Sequence, residues 1–186
     1  MIATMTTFIT ILRGINVSGQ KKIRMDELKT ILEKLKFQNI RTYIQSGNII
    51  FKDGENNPGE LVKKIENAIF DNYGFQVPVI IRDYEQLLKI KGNNPFLKQK
   101  DNDITKLYVT FLAGEPQKEY AEQINTFNDP VDKFIIKGTE IYLFCPGGYG
   151  KTKLSNSFFE RKLKITATTR NWKTVNKLVE IAEKRN

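Results

Sequence analysis

Twice along this chain the spacing of apolar residues runs strand, helix, strand, strand, helix, strand, helix, and that order leaves few folds open. A βαββαβ run closes most simply into a split βαβ arrangement, an antiparallel four-stranded sheet with both helices on one face. In the first run, the β-branched stretch 7–13 (Thr-Phe-Ile-Thr-Ile-Leu-Arg) reads as a strand. Met25, Leu28, Ile31, Leu32 and Leu35 keep helical spacing, with Lys34 and Lys36 where the helix dipole favours cations. Strands at 39–44 and 48–52 flank Gln45-Ser46-Gly47, a tight hairpin turn. Asn57-Pro58 opens a second helix, which carries Leu61, Val62, Ile65, Ala68 and Ile69 and stops before Gly74. A strand at 76–82 and a short helix at 83–91 complete the run.

A polar stretch from Gly92 to Asp103, including Asp101-Asn102-Asp103, reads as a solvated link. The order then recurs: a strand at 105–112, a helix at 116–127 begun by Pro116, and strands at 132–137 and 140–145 around Gly138-Thr139. A helix at 152–162 and a strand at 164–168 follow, then a last helix at 170–184 with Trp172, Val175, Leu178, Val179 and Ala182 on one face. The expected class is α+β: two tandem ferredoxin-like (βαββαβ) subdomains with antiparallel sheets, each followed by an extra helix. The expected boundaries are 1–91 for the first subdomain, 92–104 for the link and 105–186 for the second. The repeat is one of element order, not of letters. Two such copies would cover each other's open sheet faces or join their sheets.

Charge is distributed unevenly over this frame. Met1 to Arg24 holds Arg13, Lys21, Lys22 and Arg24 with no acid, and Tyr149 to Lys177 holds eight basic residues against Glu160 alone. These two stretches outweigh the net charge of +9, because the middle of the chain is slightly acidic. Such concentration suggests an anionic partner, nucleic acid or a small anion. No apolar run approaches the roughly 18 residues of a membrane helix, and the opening residues have no signal-peptide pattern. Cys145 is the single cysteine, so no internal disulfide forms and a reducing, cytoplasmic setting is the natural reading. Histidine is absent, which removes imidazole-based triads, proton shuttles and histidine-ligated zinc. No cofactor and no metal are expected. Catalysis, if present, falls to Lys, Tyr, Asp, Glu or Cys145.

Three segments invite a chemical reading. Arg13-Gly14-Ile15-Asn16-Val17-Ser18-Gly19-Gln20-Lys21-Lys22 joins a strand to a helix and superficially resembles a phosphate loop, but Gln20 stands where that motif needs Lys. Pro146-Gly147-Gly148-Tyr149-Gly150-Lys151-Thr152 ends in Gly-Lys-Thr, yet Cys145 replaces the motif's first glycine. A looser anion nest of Lys151, Thr152 and backbone amides survives that mismatch. Thr168-Thr169-Arg170-Asn171-Trp172 leads into the last helix, with Thr169 as cap and Trp172 as buried anchor. Tyr108, Tyr142 and Phe144 either stack on ligand bases from an open sheet face or, the favoured alternative, are buried. Cys145 reads as an inert buried thiol.

The stretches Leu12-Arg13-Gly14-Ile15-Asn16-Val17, Arg41-Thr42-Tyr43-Ile44-Gln45-Ser46-Gly47-Asn48-Ile49-Ile50-Phe51 and Thr168-Thr169-Arg170-Asn171-Trp172 together resemble the bacterial family known as domain of unknown function 1697. Tyr149-x-Lys151-Thr152 and Phe159-Glu160-Arg161 are similar to the family's second half. The resemblance implies a fold like the tandem plan above and brings no reaction, cofactor or catalytic set.

Topology sets the candidate site. In a split βαβ unit the first strand-to-helix loop lies beside the hairpin of the second and third strands, so Arg13, Asn16 and Lys21 are expected near Ser46 and Asn48. In the second copy Tyr149, Lys151 and Thr152 are expected near Arg170 and Asn171. The two clusters make one site only if the copies run roughly antiparallel, which is the expected arrangement, and two otherwise. A protein that binds an anion, nucleic acid or a phosphate-containing molecule, through a basic surface or a cleft between the subdomains is the leading reading, with a histidine-free enzyme on a phosphorylated or carboxylated substrate and a ligand-free interaction scaffold as alternatives.

Overall fold

In the computed structural model, which describes residues 5–55, 57–99 and 102–184, the chain forms an α+β fold with two four-stranded antiparallel sheets and six α-helices. Contacts divide it into two units, Met1–Leu88 with Lys177–Asn186, and Lys89–Asn176.

In the first unit β1 (Thr6–Leu12) is central, and the sheet order is β2 (Gln38–Tyr43), β3 (Asn48–Asp53), β1, β4 (Val79–Asp83). Helices α1 (Met25–Lys34) and α2 (Pro58–Tyr73) bury Leu28, Leu32, Leu61, Ile65 and Ile69 against Phe8, Leu12, Ile49 and Phe51. Alternation along β1 sends Phe8 and Leu12 to this helical side, and Ile9 and Ile11 to the other. Phe37 stacks on Phe51 with ring centroids 4.3 Å apart. Local chemistry sets the helix ends. Asn57 accepts from the Gly59 amide, Pro58 occupies the first turn, and Gly74 at φ 73° ends α2 with its amide on Phe70 O. Helix α3 (Tyr84–Gly92) follows β4 directly.

The second unit repeats the plan: β6 (Lys133–Lys137), β7 (Glu140–Phe144), β5 (Leu107–Leu112), β8 (Ala167–Asn171), with α4 (Lys118–Asn125) and α5 (Asn156–Leu163) over one face. Helix α6 (Trp172–Glu183) follows β8 directly, as α3 follows β4. The core here is Leu112, Ile124, Ile141, Leu143, Leu154, Phe158, Phe159 and Leu163. Each buried aliphatic or aromatic side chain of this kind contributes roughly 1.5–3 kcal/mol.

Several side chains recur at matching places. The Val79 amide donates to Glu66 of α2 at 2.9 Å, and the Ala167 amide to Glu160 of α5 at 3.1 Å. Arg82 faces Ile9 in register and Arg170 faces Val109; both arginines are buried. Asp83 accepts from the Gln86 amide at 2.7 Å, and Asn171 from the Thr174 amide at 2.8 Å. The Leu12 amide bonds Gly47 O and the Leu112 amide bonds Thr139 O.

The second half differs from the sequence-based expectation at four points. Thr169 to Asn171 are strand, not the cap and first turn of a helix: Lys164 closes α5 at φ 57°, and the β-branched run then pairs with β5 through Asn171. Asn171, not Thr169, therefore caps α6. Helix α5 starts at Asn156, capped by Ser155, because Tyr149–Lys151 forms a separate 3-10 turn. The stretch from Gly92 is not wholly solvated: 3-10 turns occupy Pro95–Lys98 and Ile104–Lys106, and Phe96 is buried beside Phe144. Asp101 lies outside the described residues.

Candidate functional site

In the first unit the loop and the hairpin do meet. Asn16 Nδ2 donates to Gln45 O at 2.8 Å and to Ile23 O at 2.9 Å, while its Oδ1 accepts from the Ile23 amide at 2.9 Å. Asn48, fully buried, donates to Tyr43 O at 2.9 Å and to Ser46 Oγ at 3.1 Å. These bonds brace a turn under strain. Ile44 sits at φ 52°, a region a β-branched residue occupies at a cost of about 1–3 kcal/mol. Gly47 sits at φ 77°, where a Cβ would lie 2.7 Å from Ile15 Cδ1. Three of the candidate ligands, Asn16, Ser46 and Asn48, are thus bound up in holding the turn.

Basic residues in and just after that loop are also engaged, while Lys22 is exposed. Lys21 Nζ donates to Gln76 O at 2.7 Å, and Arg24 pairs with Asp26 at 2.6 Å. Arg13 is half-buried, with its amide on Pro78 O at 2.9 Å.

In the second unit the loop 146–152 meets β8. Tyr149 OH donates to Thr169 Oγ1 at 2.9 Å, and Thr169 Oγ1 contacts Asn156 Oδ1 at 2.6 Å and Thr110 Oγ1 at 2.7 Å. The loop closes on itself: the amides of Gly148, Lys151 and Thr152 bond Cys145 O, Gly148 O and Tyr149 O, and the Tyr149 amide bonds Tyr108 OH. With four amides satisfied, the segment is a latch on the sheet rather than the expected anion nest. Thr152 Oγ1 accepts from the Leu154 amide at 3.0 Å, and Lys151 points to solvent. Arg170 is buried, with Nη1 donating to Thr168 Oγ1 at 3.0 Å and Thr169 O at 2.9 Å.

The aromatic candidates do not all share a face: Tyr142 and Phe144 lie on one side of the sheet and Tyr108 on the other. Tyr142 faces Val109 and Tyr108 faces Leu143 in register, so their side chains alternate across the sheet. Tyr142 is buried, with OH on Ile90 O at 3.1 Å, and burial pushes its hydroxyl up to about 12. Cys145 is fully buried and desolvation pushes its thiol up to about 11, which leaves it unreactive at neutral pH. Among the described residues no three or more Cys, Asp or Glu side chains converge as metal ligands.

What the structure adds is a cavity of about 600 Å³ where the chain enters β5 and leaves β8, lined by Ile104, Thr105, Tyr108, Asn171, Trp172, Lys173 and Asn176. Of the proposed ligand contacts Asn171 belongs to it, and so do Tyr108, weighed above as a stacking ring, and Trp172, read above as a buried anchor. Lys151 lines a second, smaller depression of about 290 Å³ that also holds Asp129 and Asp132. The larger cavity's remaining walls come from the 3-10 turn Ile104–Lys106, from β5 and from α6. Tyr108 and Trp172 stood out in the sequence one by one, but no spacing joined them to each other or to Lys173.

The fold and the braced loops define an α+β protein whose recognisable stretches serve its framework. Residues 5–142 match the family described as protein of unknown function (DUF1697), and the chain belongs to that family. A conserved bacterial protein from Streptococcus pneumoniae has a similar solved structure, at 24% identity and a TM-score of 0.78, covering 97% of this chain and 99% of that one. No curated protein matches.

Proposed function

We propose that this protein binds a small anionic ligand in the cavity of its second unit. The observation that carries this reading is the cavity's lining: two aromatic rings, three side chains with amide or hydroxyl groups, one exposed cation and no acid. Asn171 and Lys173 are the proposed ligand contacts. A thermal-shift screen of phosphorylated and carboxylated metabolites tests it, repeated on Lys173→Ala. Ligands that raise the melting point of the native protein but not of the variant support the site; no shift with any anion overturns it.

A polyanion is the second reading. Lys151, Lys153, Arg161, Lys162, Lys164 and Lys173 are all exposed, and among the described residues none makes an ion pair. An anisotropy titration with single- and double-stranded oligonucleotides at two salt concentrations separates the readings, because backbone binding weakens steeply with salt. A catalytic role has less support: the described bonds of the Tyr149, Thr169, Thr110 and Asn156 network join hydroxyls and one side-chain amide.

The chain is, on the same reading, a duplicated ferredoxin-like unit, with copies at 1–91 and 105–186 joined through 92–104. Supporting this are the equal strand orders and the matched pairs Glu66 and Glu160, Arg82 and Arg170, and Asp83 and Asn171.

A further inference from the structure

Resting on the anion-binding reading, we infer that the ligand of the second unit's cavity is a nucleoside phosphate, its base against Tyr108 and Trp172 and its phosphate on Lys173. The volume of about 600 Å³ falls within the roughly 300–1,000 Å³ of small-ligand sites and would admit one mononucleotide. The walls are uneven in chemistry. Ile104, left 61% exposed, and the half-buried Tyr108 ring supply apolar surface, with the largely buried Trp172 at the cavity wall, and a phosphate or a carboxylate alone would not use it. Planar rings are what stack on such surfaces.

The two asparagines supply the polar edge. Asn171 commits its Oδ1 to the Thr174 amide, and Asn176 commits its Nδ2 to Trp172 O. What remains is an amide donor on Asn171 and a carbonyl acceptor on Asn176, a donor and acceptor pair that complements the edge of a nucleobase. Thr105 contributes less, since its amide and hydroxyl both bond Asp103. That carboxylate is held in its charged form by the two Thr105 bonds, with Lys106 adding to the effect. Lys173 is exposed and free of ion pairs among the described residues, so it meets a phosphate without first breaking a bridge. The Tyr108 ring is held in place, its OH accepting from the Tyr149 amide at 3.3 Å and its centroid 5.3 Å from that of the tilted Tyr149 ring.

Trp172 is the single tryptophan of the chain, so its fluorescence reports this cavity alone. The experiment titrates the full-length protein with adenosine 5′-monophosphate, ribose 5-phosphate and adenosine, reading Trp172 emission. Adenosine 5′-monophosphate is expected to change the emission saturably and to bind at least roughly ten-fold more tightly than either fragment. Tyr108→Leu is expected to weaken it about ten-fold, Tyr108→Phe to leave it near native, and Lys173→Ala to reduce it to the affinity of adenosine. Repeating the titration with single-stranded oligoadenylate tells a free nucleotide from one within a strand. Equal binding of ribose 5-phosphate and adenosine 5′-monophosphate would overturn the nucleoside while leaving the anion reading intact. Equal binding of adenosine and adenosine 5′-monophosphate, untouched by Lys173→Ala, would sink the anion reading, and no response to any of the three would sink both.

Discussion

The corner Arg82-Asp83-Tyr84-Glu85 and the corner Arg170-Asn171-Trp172-Lys173 do the same backbone work in the two units. Each takes an edge strand straight into a helix, buries its arginine, and caps the helix with the residue that follows. They differ in what they offer to solvent. The first ends in Asp and Glu, the second in Asn and Lys, and only the second borders the aromatic cavity described above. Parts shared by both corners are accounted for by folding. A difference in exposed charge is not, and it is there that a ligand-binding role has room.

The largest expected effect breaks the likeness of the hairpins. Gly47→Ala should cost about 3 kcal/mol or more, combining left-handed strain with overpacking, because its Cβ would meet Ile15 and Leu12 at 2.7 and 2.8 Å. Gly138→Ala should cost only about 1 kcal/mol, since nothing lies within 4 Å of its Cβ. Equal losses by denaturant unfolding would show that the first hairpin is not specially braced.

Next come the central-strand threonines. Thr10 faces Ile81 and its hydroxyl has no partner among the described residues, whereas Thr110 faces Thr169 and bonds it at 2.7 Å. Thr10→Val should be neutral or stabilising, and Thr110→Val should lose about 1–2 kcal/mol. A matching loss at both sites in thermal melts would refute this asymmetry.

The caps should behave alike. Asp83→Ala and Asn171→Ala each remove one amide acceptor, and each should cost about 1 kcal/mol. A loss at one corner alone would mean that the corners are not equivalent.

The smallest expected effect on stability sharpens the comparison most. Glu85→Lys and Lys173→Glu are exposed changes within about 0.5 kcal/mol of native. Ligand affinity, read by Trp172 emission, should collapse in Lys173→Glu and hold in Glu85→Lys. If both variants bind as the native protein does, the charge difference has no bearing on the ligand.

Much of the frame was legible beforehand, and the reason is local. Asn57-Pro58 with Gly74 brackets α2 by cap, ring and left-handed glycine, all encoded within the segment. The Thr168–Asn171 stretch misled because its threonines suit either a cap or a strand, and the choice was made by register with β5, a partner some sixty residues away. Likewise Asn16 and Asn48 look like ligand residues in isolation. Only the fold shows their amides spent on Gln45, Ile23 and Tyr43 carbonyls.

By itself, then, the sequence determined the element order, the two units' architecture in outline, the family and the absence of histidine chemistry, because apolar period, caps and composition act over a few residues. Tertiary structure decided which polar side chains are consumed by the backbone and which still face a cavity. Tyr108, Asn171 and Lys173 come together only when β5 and β8 pair and α6 turns away from them, and such distant neighbours leave no spacing in the chain to be read.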